Sequence, residues 1–133
     1  MTLCEVFAVD ALSMVRGALP ARDGTKAILH EAAKARTDLF RLPPGDRLAN
    51  HYHSKIWDLF VPVSGFGQIA HERSGDIGRT DLKPGVFCAM PPGVRHEVRN
   101  LSDQHDFVYL LIHAPGDGYD HIPTPLHPAF EET

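Results

Sequence analysis

The sequence predicts an all-β fold, a sandwich or barrel assembled from short strands. Turn-forming residues recur along its whole length, with 11 glycines and 11 prolines in 133 residues. The segments between them are short and apolar or alternate polar with apolar, and no helical periodicity is convincing beyond the first sixteen residues.

Residues 3–16, LCEVFAVDALSMVR, read either as a short amphipathic helix or as an irregular strand crossing the barrel edge. With the loop-like residues 17–24 they form an N-terminal arm. Residues 26–31 make a strand, and residues 37–42 alternate as a half-buried strand should before stopping at Pro43-Pro44-Gly45. Strands follow at 48–53, 56–63 and 65–70, with a loop at Ser54-Lys55. The polar, glycine-bearing stretch 72–80 reads as a hairpin tip, and Pro84-Gly85 fits the two central positions of a type II turn.

A short apolar run at 86–90 leads to the Pro91-Pro92-Gly93 turn and a strand at 96–99. Residues 100–106 are loop-like, and 107–113, FVYLLIH, carry the strongest strand signal in the chain. Beyond Pro115, the prolines at 123, 125 and 128 forbid a regular helix and favour extended structure. The expected organisation is an arm (1–24), one barrel domain (25–114) and an extended tail (115–133) lying over the barrel or a partner subunit.

A chain of this length holds one core. Its 43% apolar and 23% charged residues are those of a globular protein. Thirteen basic residues are scattered among seventeen acidic ones, giving a formal charge of −4 and no basic patch for nucleic acid or an anionic membrane surface. Cys4 and Cys88 have no paired spacing, so neither a disulfide framework nor a structural zinc site is indicated. No basic region precedes an apolar segment at the N-terminus, and the expected location is the cytoplasm.

The chemistry concentrates in the nine histidines. His51 and His53 are two residues apart, so in a strand both project from one face. Asp58 follows five residues later, ahead of an apolar run that closes at Ser64-Gly65. The full pattern is Gly45, five residues, His51, one residue, His53, four residues, Asp58, six residues, Gly65. A second pattern reads Gly85, five residues, Pro91, one residue, Gly93, two residues, His96, three residues, Asn100.

On these two motifs the sequence resembles the cupin superfamily. Every fixed position is met except one, Asp58 standing where cupins typically have glutamate. The resemblance implies a jelly-roll barrel, the double-stranded β-helix, in which His51, His53, Asp58 and His96 converge on one divalent transition metal per chain. It also implies a homodimer. Three imidazoles and one carboxylate suit Fe, Mn, Ni, Zn or Cu without choosing among them, and on an octahedral ion they leave two positions open. Aspartate reaches about 1.5 Å less far than glutamate, so Asp58 is either a ligand drawn close by its backbone or a hydrogen-bond partner of a histidine beside a three-histidine site.

Of the other histidines, His113 ends the strongest strand and is the candidate general base inside the barrel. Tyr109 is a second candidate for moving a proton and, with Phe60, for lining the substrate cavity. Cys88 reads as a small buried hydrophobe. Beside a purely structural role in assembly, two functions compete. One is a small metalloenzyme acting on an oxygen-rich small molecule by dioxygenase, isomerase or lyase chemistry. The other is a non-catalytic module that binds or senses a sugar or organic acid.

Overall fold

The computed structural model describes residues 20–21, 24–31 and 34–125. Eleven strands run through the described residues: β1 (Pro20–Ala21), β2 (Gly24–Glu31), β3 (Arg36–Leu42), β4 (Arg47–Tyr52), β5 (Trp57–Ser64), β6 (Gly67–Arg73), β7 (Asp76–Leu82), β8 (Cys88–Met90), β9 (Arg95–Arg99), β10 (Phe107–Ala114) and β11 (Ile122–Pro123). No helix occurs among them, and hence none long and apolar enough to cross a membrane.

The strands form two antiparallel sheets, a six-stranded one in the order β1-β2-β3-β10-β5-β8 and a five-stranded one in the order β11-β4-β9-β6-β7. After β3 the chain passes repeatedly from one sheet to the other, which winds it into the double-stranded β-helix of a jelly roll. The core lies between the sheets, built from Phe40, Leu42, Phe60, Ile69, Leu82, Met90, Val94, Val98, Phe107, Tyr109 and Leu111.

Local sequence explains the placement of these strands. β10 is apolar almost throughout because it sits between β3 and β5 in the middle of its sheet. β5 alternates strictly over its first six residues, so Asp58, Phe60 and Pro62 are buried while Trp57 is 43% exposed. That parity puts Asp58, not its neighbour Trp57, inside the barrel.

The polar stretch 72–80 differs from its sequence reading. Only Ser74 and Gly75 turn, both at positive φ as a two-residue type I′ hairpin requires, and Asp76–Leu82 is a full strand paired to β6 along its length. An edge strand exposed for most of its length needs no apolar alternation. Residues 1–19, which hold most of the expected arm, and residues 126–133 of the expected tail lie outside the described residues.

Asn100, the last residue of the second motif, pins two loops. It is buried, its Nδ2 donates to the carbonyls of Leu42 at 3.0 Å and His105 at 2.7 Å, and its Oδ1 accepts from the Ser102 amide at 3.0 Å. Asn100→Ala would orphan three backbone groups and is expected to destabilise the fold by about 2–3 kcal/mol, read as a lowered urea midpoint with an unchanged slope.

Candidate metal centre

Strand register assembles the site. In the five-stranded sheet β4 pairs with β9 so that His51 stands opposite His96. In the facing sheet β5 lies between β10 and β8, with Asp58 opposite His113 on one side and Met90 on the other. His53 follows the end of β4, and its carbonyl accepts from the Gly93 amide at 2.7 Å. The Pro92-Gly93 turn that introduces β9 is thereby tied to the segment carrying the other two histidines. His51, His53, Asp58 and His96 are all buried.

The three imidazoles are hydrogen-bonded in the same sense. His51 Nδ1–H donates to Ala49 O at 2.6 Å, His96 Nδ1–H to Val94 O at 2.9 Å, and His53 Nδ1–H to Asp120 O. A carbonyl oxygen only accepts, so each ring carries its proton on Nδ1 and turns Nε2 inward. There His53 Nε2 and His96 Nε2 lie 2.9 and 3.0 Å from the same Asp58 oxygen, Oδ2. One ligand atom from each of the four residues can be chosen so that all lie within 4.8 Å of one another.

Burial first, then the neighbouring His96, lowers the His51 pKa to about 3, which keeps that ring neutral at ordinary pH, as a metal ligand must be. Burial pushes Asp58 up, but the imidazoles of His113, His53 and His96 packed against it outweigh burial and hold the carboxyl well below its usual range. Three inward nitrogen lone pairs and one anionic oxygen fit a divalent transition ion.

The second Asp58 oxygen is held as well. His113 Nδ1–H donates to Oδ1 at 2.6 Å, and the opposite side of that ring faces Asp38, with Nε2 3.5 Å from Oδ2. Asp38 in turn accepts from Arg36 Nε at 3.1 Å. A line of side chains, buried from Asp38 inward, therefore runs from Arg36 through Asp38 and His113 to Asp58. Burial lowers the His113 pKa while its bonds to the two carboxylates raise it, and the net shift is upward.

Residues 38–113, more than half of the chain, match the Cupin domain family. The chain belongs to the cupin family. Among solved structures, a conserved Klebsiella pneumoniae protein with a double-stranded β-helix domain is similar, at 20% identity and a TM-score of 0.69 over 90% of this chain and 100% of that one. Lactobacillus farciminis oxalate decarboxylase shares 17% identity with a TM-score of 0.70 over 79% of this chain and 32% of its own. Tomato vicilin shares 17% with a TM-score of 0.68 over 82% and 34%. This cupin spans about a third of the length of the last two, and at such identities the likeness is one of fold. No curated protein sequence matches it.

The remaining residues singled out by sequence fall in different places. Phe60 and Tyr109 are both fully buried in the core beside the site, Phe60 edge-on to His96 at 6.1 Å and Tyr109 stacked on Phe40 at 5.2 Å and on Phe107 at 5.0 Å. Burial, then Asp58 and Asp38, raises the Tyr109 pKa well above 10, so its phenol keeps its proton.

Sequence reading of this cupin missed residues 119–121. The Tyr119 ring lies 5.1 Å from His53 and 4.9 Å from His113, and His121 stacks on His51 at 4.3 Å. The Asp120 carboxylate accepts from the Ser54 amide at 2.8 Å and from the Ser54 hydroxyl. Beyond them β11 pairs with β4, and Asn50 Nδ2 donates to Pro125 O at 2.8 Å. The segment is thus strapped across the metal centre. Backbone carbonyls and ring faces make much of this contact, and neither leaves a spacing motif.

Proposed function

We propose that this cupin binds one divalent transition metal per chain through His51, His53, Asp58 and His96, and acts as a small metalloenzyme on an oxygen-rich small molecule. The supporting observation is the convergence of the His53 and His96 Nε2 atoms on Asp58 Oδ2, with His51 grouped beside them, while the Nδ1 of all three rings is engaged by a backbone carbonyl. A bound Fe, Mn, Ni, Zn or Cu ion supplies a Lewis acid with positions left for oxygen donors, which suits dioxygenase, isomerase or lyase chemistry.

The chain's own residues do the rest. Backbone bonds fix the ring orientations of the three histidines, Asp58 offsets cationic charge, and Tyr119 and His121 shield His53 and His51 from water. His113 acts as a positioning residue that fixes the Asp58 carboxylate and, with Tyr109, is a candidate for moving a proton at the substrate. A module that binds or senses a ligand without changing it is the second reading, favoured by the strap over the centre. Metal-reconstituted protein incubated with 2-oxo and 2-hydroxy acids, with oxygen uptake and product formation followed, separates the two. Turnover supports the enzyme, and tight binding without turnover supports the sensor.

His113→Ala is expected to weaken metal binding by about 10–100-fold in a chelator competition, as loss of a group that orients a ligand does. His113→Asn, which can still donate to Asp58 Oδ1, should recover part of that loss.

A further inference from the structure

A cavity of about 420 Å³ opens where β7 ends one sheet and β8 ends the other. Ile77, Cys88, Met90, Pro91 and Val94 give it a largely hydrocarbon wall. Its inner polar groups, His71 and Thr80, face each other with Nε2 3.2 Å from Oγ1. The charged pair Arg73 and Asp76 lies at the exposed end of the β6–β7 hairpin. Gly78 makes the room: a Cβ there would lie 2.4 Å from His71 Cε1, so the imidazole rests against the β7 backbone.

The cavity lies beside the metal centre, one strand further along each sheet. Cross-strand partners share a face of a sheet, so His51, His96, His71 and Gly78 form one inward row across four strands. His113, Asp58 and Met90 form the corresponding row of the other sheet. His71 and Met90 therefore each stand one strand, about 4.8 Å, beyond a residue of the metal centre. The cavity volume is in the range that encloses small ligands.

We propose that this cavity receives the hydrocarbon body of the substrate, a single aromatic ring or a branched chain, whose oxygen-bearing head lies at the metal centre. The placement of the head rests on the metal reading above, whereas that of the body does not. A sugar fits poorly, because the wall is mostly hydrocarbon and its two inner polar side chains are already bonded to each other.

Calorimetry on zinc-loaded protein tests the pairing of body and head, comparing 4-fluorophenylglyoxylate, a ring joined to a 2-oxo acid, with glyoxylate, the head alone. The ring-bearing acid is expected to bind at least tenfold more tightly. Cys88→Trp, which fills the cavity, should cut that preference below twofold while zinc content and glyoxylate affinity stay unchanged. His71→Ala, which enlarges the cavity, should bind 2-naphthylglyoxylate at least tenfold more tightly than the unaltered protein does, a gain that misfolding cannot produce.

Equal affinity for the two acids, tighter binding of gluconate than of the fluorophenyl acid, or no gain in His71→Ala would overturn the proposal. If none of Fe, Mn, Ni, Zn or Cu binds, the metal reading falls by itself. The cavity is then judged by fluorobenzene on metal-free protein: fluorine line broadening that Cys88→Trp abolishes sustains the body site, and no broadening overturns it.

Discussion

Asp58→Asn is expected to lower divalent-metal affinity by more than a hundredfold while changing the stability of the metal-free protein by no more than about 1 kcal/mol. The substitution keeps the shape and removes the charge, so the loss is not one of packing. In the native chain Oδ2 faces two imidazole Nε2 atoms and Oδ1 accepts from His113, all inside a site with no exposure at Asp58. An amide that keeps Oδ1 toward His113 turns its N–H groups toward the two Nε2 lone pairs, which satisfies them without a metal and occupies the electrons a metal would need. The affinity is read by competition with a coloured chelator and the stability by urea unfolding of stripped protein. Wild-type metal affinity in Asp58→Asn would leave a three-histidine site with Asp58 outside it.

His51→Ala and His96→Ala are expected, each alone, to lose most of the bound metal after dialysis against a moderate chelator. The two residues are opposite each other in the β4–β9 pairing, with ring centroids 4.4 Å apart, and neither has a neighbour able to supply the missing nitrogen from the same direction. His121, stacked on His51, is the nearest substitute, but it approaches face to face rather than along the Nε2 direction. Elemental analysis gives the stoichiometry. Full occupancy in both variants would dismiss the ligand assignment altogether.

The fold was legible because its determinants are local. Alternation in β5, the apolar run of β10 and the Pro-Gly turns each act over a few residues, and the histidine pair reads directly from strand parity. β7 was illegible because an edge strand exposed over most of its length has no core face to imprint on its sequence. The partnership of His113 with Asp58 depends on which strand lies beside β5, and 55 residues separate the two. His113 stood out in the sequence as the end of a buried strand, but Asp38 and Arg36, which hold it from behind, gave no signal. The strap was hidden for another reason, since a carbonyl that accepts from His53 can be provided by any residue type.

That last contact has a thermodynamic consequence. His53 meets the metal centre through one nitrogen and the strap through the other, so the two attachments are linked: whatever free energy an ion gains from a seated strap, the strap gains from the ion. Nicking the chain near Gly118 should therefore loosen the ion, and loading the ion should protect that same peptide from a protease.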